Sequence, residues 1–331
     1  QSTNIARNAV LASGLPETVP ATSVDRQCGS SQQAIHFAAQ AVMSGTMDMV
    51  IASGVESMSR VPIGTPMDLP QKAGLGFYKS PGMEARYPGV FFSQFTGAEE
   101  IARKWELGRE AMDEFSFQSH LKSRAATEAG RFDAEIIAVE KRLHDGAVPG
   151  DMATRDEGIR YDVSLEAVSQ VRLLTEGGRL TAASASQICD GAAGVMVVNE
   201  RGLKALGVEP LARIHHLSVT GGNPVVMLET PIAATERALK LAGMTIDDID
   251  LFEVNEAFAS IPMAWAKGVG ADPDRLNVNG GAISLGHPLG GSGAKLMTTL
   301  VHALKDRGKR YGLQTMCEGG GLANVTIIER L

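Results

Sequence analysis

Ala21-Thr22-Ser23-Val24, then Cys28-Gly29-Ser30-Ser31, then the Ala-rich run from Gln32 to Met43, then Met49-Val50-Ile51-Ala52: this stretch decides the fold class. Residues 21–24 read as a short strand and 28–31 as a tight turn. Residues 32–43 read as a helix, with Ala34, Ala38, Ala41 and Val42 on one face and Ile35 and Phe37 beside it. Gly45 is a stop, and 49–52 is an apolar run of strand length. The order strand, turn, helix, strand is one βαβ unit, the repeating element of α/β proteins.

Working outward, 61–178 has a different texture. Gly, Pro and Met are scattered through 62–89, helical patterns follow over 98–105 and 109–129, and 145–158 is charged and loop-like. This region reads as an insertion of loops and helices without a sheet. Strand character returns over 180–185 and 194–198, and 201–207 precedes a boundary at Pro210. The last third repeats the opening logic. It has a helix over 233–241, a strand over 250–254, an extended lead-in over 276–279 and a Gly-rich turn over 280–293. A helix over 294–304 and a strand over 311–316 follow. Both ends of the chain thus run strand, Gly/Ser turn, helix, strand, polar turn, the mark of a weak internal duplication.

Composition narrows the function classes. With 331 residues, 44% hydrophobic and 21% charged, the chain is ordinary for a globular protein and long enough for two cores. A net charge of −7 argues against a nucleic-acid surface. No apolar run approaches the roughly 20 residues of a membrane helix. Three cysteines are too few for a disulfide framework, which points to a reducing compartment such as the cytoplasm and to chemistry for any special thiol. Residues 1–7 have no basic start followed by an apolar stretch, so no secretory signal is read there.

Four positions stand out. Cys28 precedes a helix, where unpaired N–H groups favour thiolate. His287 sits in Gly286-His287-Pro288, with Pro288 restricting it and placed to open a helix. That Gly-rich turn lacks the Lys-Ser/Thr pair of a P-loop. Cys317 ends a strand and is followed by Glu318 and three glycines, whose N–H groups are free to face an oxyanion. Asn255 ends another strand, and its default reading is a helix cap. Cys189 reads as structural and His36 as a packing residue. His120, His144 and His302 read as surface residues, and His215-His216 lacks metal-ligand spacing, so no metal site is expected.

Together these blocks resemble the thiolase family. They are Val24-Asp25-Arg26-Gln27-Cys28-Gly29-Ser30 with Gly54-Val55-Glu56-Ser57-Met58-Ser59 behind it, Asn255-Glu256-Ala257-Phe258-Ala259, Asn279-Gly280-Gly281-Ala282-Ile283 continuing to Gly286-His287-Pro288-Leu289-Gly290, and Cys317-Glu318-Gly319-Gly320-Gly321. The resemblance implies an α/β, five-layered αβαβα fold of two similar halves. The N-terminal thiolase domain would cover 1–60 and 180–208, an inserted loop domain 61–179, and the C-terminal domain 209–331. It implies an acyltransferase that cleaves 3-ketoacyl-CoA with coenzyme A, reversible as Claisen condensation. Coenzyme A would be a substrate, with no tightly bound cofactor, and the assembly a homodimer or homotetramer.

By the same resemblance Cys28 is the acylated nucleophile and His287 takes its proton. Cys317 moves the proton α to a carbonyl, and Asn255 holds a water that with His287 stabilises an enolate-like oxygen. The N–H groups of Cys28 and Gly319 form a second oxyanion hole, and Ser186 lies along the pantetheine arm of coenzyme A. Two departures from the family pattern appear. Family members usually carry a further segment before the match to Gln1. Short-chain biosynthetic members place His-Met where this chain has Ser93-Gln94, so Gln94 implies a differently shaped pocket for a bulky acyl group. The Cys28 and Cys317 stretches look most like degradative bacterial members, including those of sterol-ring breakdown. The rival readings are a ketoacyl-synthase-like condensing enzyme, against which Cys317 argues, and a catalytically idle acyl-CoA-binding subunit.

Overall fold

The computed structural model describes residues 3–142, 146, 148 and 150–331. The chain runs α1 (Ile5–Ala12), a 3₁₀ turn (Gln27–Gly29), α2 (Ser30–Met43) and β1 (Met49–Ser57). Then come α3 (Thr65–Lys72), α4 (Pro81–Arg86), α5 (Gln94–Lys104), α6 (Arg109–Glu128), β2 (Val139–Glu140), β3 (Met152–Ala153) and α7 (Leu165–Ser169). β4 (Asp190–Val198), α8 (Glu200–Leu206), β5 (Ala212–Gly221), α9 (Thr230–Ala242), β6 (Leu251–Val254) and α10 (Ser260–Val269) follow. The last elements are α11 (Ala282–Leu285), α12 (Leu289–Asp306), β7 (Tyr311–Glu318) and β8 (Leu322–Arg330).

Two sheets frame the site. β5, β8, β7 and β6 form one in that order, with β6 and β7 parallel and the other pairs antiparallel. Its interior strands are buried on both faces, so their sequences read as nearly continuous runs (Leu313-Gln314-Thr315-Met316-Cys317) rather than as alternation. On one face α9 and α10 pack through Ala234, Ala238, Leu239 and Trp265 against Phe252, Val254, Leu313 and Val325. On the other, Leu251 and Ile328 meet Leu300, Ala303 and Leu304 of α12 and Ile35 and Ala38 of α2. β1 and β4 pair antiparallel beyond α2 and α12 and join the same core through Ala52, Ala193 and Val195. The described layers are therefore helices, four strands, helices, two strands. Met49, Ile51, Val55 and Met196 stay exposed on the outward face of the two-stranded sheet.

Several expectations need correction. Residues 21–24 join no strand among the described residues, since a strand exists only where a neighbour completes its ladder. The second strand of the opening unit pairs antiparallel with β4, not parallel. The buried face of α2 is Ile35, Ala38, Ala39 and Val42, and Phe37 points out. Residues 180–185 form a 3₁₀ turn (Ala182–Ser184) closed by a Thr181/Ser184 capping box. α12 starts at Leu289, five residues before the expected 294, because Gly290, Gly291 and Gly293 lie inside it. The small side chains are there for packing, since a Cβ at Gly293 would fall 2.2 Å from the Gln32 nitrogen. The insertion does carry a two-stranded ribbon, β2 with β3. The expected loop over 145–158 begins in residues outside the description, and His144 also lies outside it.

His120 is not a surface residue. His120 is buried in α6, and its Nδ1 accepts the Arg160 N–H at 3.2 Å; burial holds its pKa down to about 4. His302 is half-buried on α12. His36 is the packing residue expected: its Nε2 meets Thr326 Oγ1 at 2.7 Å, and burial depresses its pKa to about 3.

Candidate active site

Cys28 occupies the 3₁₀ turn that enters α2. The turn is held by side chain to backbone bonds. The Arg26 N–H donates to Ser30 Oγ at 2.9 Å, and the Ser30 hydroxyl donates to the Gln27 carbonyl at 2.6 Å. Gln27 sits at φ 47°, in the left-handed region that costs a non-glycine residue about 1–3 kcal/mol. Such strain persists only where the surroundings over-determine the conformation, and here it turns the next residue, Cys28, into the interior. Glycine is required after it because a Cβ at Gly29 would fall 2.2 Å from Glu318 Oε1.

Three more candidate side chains come from the ends of β6 and β7 and from the turn before α12. Cys317 is the penultimate residue of β7 and wholly buried. Asn255 follows β6, and its N–H donates to the Thr315 carbonyl at 3.2 Å, which sets it beside the end of β7. It caps no helix, since α10 begins at Ser260 after Ala259. Its amide Nδ2 lies 3.3 Å from His287 Nε2, while its buried Oδ1 has no partner among the described residues.

His287 stands between α11 and α12, with its N–H donated to the Gln187 carbonyl at 3.0 Å. Its Nδ1 meets Ser292 Oγ at 2.5 Å, and the Ser292 hydroxyl donates to the Pro288 carbonyl at 3.0 Å. Because that hydroxyl proton is already committed, Ser292 accepts from Nδ1–H. The lone pair is thus left on Nε2, the nitrogen that Asn255 faces.

The electrostatics oppose resting charge. Burial, then the neighbouring Glu318, pushes the Cys28 thiol up to about 12, although the backbone N–H groups of Cys28 and Gly319 pull it back. Helix-end stabilisation, expected to favour thiolate, is present but loses to desolvation. Cys317 is also raised, by burial, by Cys28 and by Glu318. Burial holds His287 down to about 4. At neutral pH the site therefore contains two thiols and a neutral imidazole. A thiol in this state could act as a nucleophile only if its proton left as it attacked.

Ser186 and Gln94, expected along the pantetheine arm and in the acyl pocket, have side chains that join none of this cluster's hydrogen bonds among the described residues. Ser186 is half-buried and donates its N–H to the Ala257 carbonyl at 3.0 Å, one step beyond Asn255-Glu256. Gln94 is the first residue of α5, beside Phe95, whose ring meets Phe258 edge-on at 5.5 Å. Cys189 packs against Gly286 rather than joining the two thiols.

Four residues were missed. Ser292 orients His287. Glu56 accepts the Gly290 N–H at 3.0 Å and anchors the start of α12 to β1. Glu256 accepts from Ser119 Oγ, Asn277 Nδ2 and the Ile283 N–H at 2.7, 2.9 and 3.1 Å. Glu318 is buried beside both thiols. The only prior signal was that Glu256 and Glu318 each directly follow a candidate residue. No group of three His, Cys, Asp or Glu side chains among the described residues could hold a metal ion.

Comparison with known proteins spans nearly the whole chain. Residues 1–201 match the family model for the thiolase N-terminal domain and residues 208–330 that for the C-terminal domain. A steroid 3-ketoacyl-CoA thiolase of Mycobacterium tuberculosis is 53% identical, over 100% of this chain and 80% of its own length. A 3-ketoacyl-CoA thiolase of Bacillus subtilis is 39% identical, over 99% of this chain and 84% of its own length. Human mitochondrial 3-ketoacyl-CoA thiolase superimposes with a TM-score of 0.84 at 34% identity, covering 98% of this chain and 83% of that one. Its complex with CoA gives the same TM-score and identity over 98% and 82%.

Proposed function

The chain belongs to the thiolase family and has its α/β fold, and from that premise we propose that it cleaves 3-ketoacyl-CoA with coenzyme A through an acyl-Cys28 intermediate. One observation supports the assignment of residues: the buried thiols Cys28 and Cys317 act on each other and the Gly319 N–H acts on the Cys28 sulfur, while Asn255 pairs with His287 at 3.3 Å.

In this reading His287 Nε2 accepts the Cys28 proton as the sulfur attacks the C3 carbonyl. The oxyanion forms under the Cys28 and Gly319 N–H groups. The C2–C3 bond then breaks, its electron pair passing into the enolate of acetyl-CoA. Asn255, through a water on its free Oδ1, and His287 stabilise the enolate oxygen. Cys317 gives its proton to the enolate carbon and recovers one from incoming coenzyme A, whose sulfur takes the acyl group. Cys28 is released as thiolate and regains its proton from His287. The steps reverse as Claisen condensation, and two half-reactions through one covalent intermediate give ping-pong kinetics.

Coenzyme A is a substrate in this scheme, and no tightly bound cofactor takes part. Ser186 is assigned to the pantetheine arm and Gln94 to a pocket for a bulky acyl group. The 53% identity to a steroid 3-ketoacyl-CoA thiolase supports a sterol-derived acyl chain over a short one. The domain division stands as N-terminal (1–60, 180–208), inserted loop (61–179) and C-terminal (209–331). Three free thiols support work in the cytoplasm. No described helix is long and apolar enough to cross a membrane. We assign a homodimer or homotetramer, for which the open apolar face of β1 and β4 offers a surface.

The test is loss of the 3-ketoacyl thioester when acetoacetyl-CoA, then a steroid side-chain 3-ketoacyl-CoA, is mixed with coenzyme A. Turnover that both Cys28→Ser and Cys317→Ala abolish supports the scheme. Binding of both substrates without turnover overturns it in favour of an idle acyl-CoA-binding subunit.

A further inference from the structure

Glu318 is an acid beside the reacting sulfurs that the proposed mechanism leaves unused. Its side chain is wholly buried. Its Oε1 lies so close to the residue after Cys28 that a Cβ at Gly29 would fall 2.2 Å from it and displace the carboxylate. Neither carboxylate oxygen accepts a hydrogen bond of normal geometry among the described residues. The groups facing it are few. Arg26, from the turn that carries Cys28, places Nη1 3.9 Å from Oε2. The Asn324 N–H approaches from β8 and pulls weakly on the carboxylate. Cys28 faces it from the turn and Cys317 from its own strand. Glu56, from β1, acts on Cys28 from further off. A structural carboxylate in such a place would be expected to collect donors. This one instead sits against a nucleophile, with a single loosely placed cation.

We propose that Glu318 is a positioning residue that acts through Cys28: as the neutral acid it lets the sulfur become negative, and loss of its proton holds Cys28 as the thiol and closes acylation. This rests on the reading of Cys28 as the nucleophile. The physical cause is repulsion. Two negative groups that feel each other in a desolvated site cannot both ionise at ordinary cost, so the proton on Glu318 and the charge on Cys28 are linked. Burial raises Glu318 to about 8, against the opposing pull of Arg26 and the Asn324 N–H. The linkage therefore falls within the working pH range. Arg26 sets where it falls, because removing the cation favours the neutral acid further.

The experiment measures alkylation of Cys28 by iodoacetamide, read peptide by peptide to separate it from Cys189 and Cys317, between pH 6 and 10. With Glu318→Gln, the rate relative to wild type should rise about tenfold or more between pH 7 and 9, the factor for one pKa unit of coupling. A ratio constant over that range overturns the proposal. Arg26→Gln gives an independent arm: the inflection of the wild-type profile should move to higher pH, and an unmoved inflection also counts against it. Alkylation reads the thiolate without turnover. If Cys28→Ser keeps thiolase activity, the nucleophile assignment fails, while these ratios still decide what Glu318 does to the sulfur.

Discussion

β6 and β7 lie side by side and parallel, and their ends are built in the same order: a functional side chain, then a buried glutamate. After Asn255 comes Glu256, whose carboxylate takes three hydrogen bonds, from α6, from Asn277 and from the start of α11. After Cys317 comes Glu318, which takes none of normal geometry. Burial raises the pKa of both. The difference lies in what each carboxylate touches. Glu256 ties the loop leading to His287 onto β6 and α6, so it works as framework. Glu318 touches Gly29 and the field of the two thiols, so it works by charge.

Substitutions can break or sharpen this comparison. The residues in front of the two glutamates should have the largest effects. Cys317→Ala should lower thiolysis by about 10³-fold, within the usual range for loss of a general acid–base, while acetyl-CoA still acetylates Cys28, visible as an added acetyl mass. Asn255→Ala should cost about 10²-fold in kcat, the scale of one lost oxyanion-hole donor. Equal effects on both half-reactions would mean that the two strand ends are not separate in function.

Next come the glutamates themselves, read by urea denaturation. Glu256→Gln turns one acceptor oxygen into a donor that faces the donors of Ser119, Asn277 or Ile283, and should cost about 2 kcal/mol. Glu318→Gln removes no hydrogen bond of normal geometry and should cost far less. Similar losses would erase the distinction between framework and charge. The last is a pH dependence. Glu318 is raised in the folded chain from 4.5 to about 8, so between those values the native state holds a proton that the unfolded chain has released. Its contribution is full below pH 4.5 and is lost as pH rises through 8. The stability of Glu318→Gln relative to wild type should therefore grow as pH rises across that window. A flat difference would show that Glu318 ionises as it does in water.

The sequence was most legible where local rules dominate. The Cys28 turn before a helix, the Gly-rich run around His287 and the strand ending at Cys317 all follow from glycine placement and apolar runs. It was least legible where position depends on partners. Residues 21–24 have strand composition but no ladder, and 180–185 has it too but curls into a capped turn. The start of α12 looked like loop because its glycines serve contact with α2. His120 was misread as exposed because one polar residue on a helix of mixed face carries no mark of what packs over it.

By itself the sequence determined which residues are candidates for the chemistry and in what order they stand, because the motifs at Cys28, Asn255, His287 and Cys317 are short and each is local. Only the tertiary structure decided their protonation: which imidazole nitrogen keeps its lone pair, why both thiols rest neutral, and which of two buried glutamates is satisfied. Those properties are sums of desolvation and of distances to Ser292, Arg26, Gly29 and Ser119, groups brought near by the fold from distant parts of the chain, and no local pattern contains them.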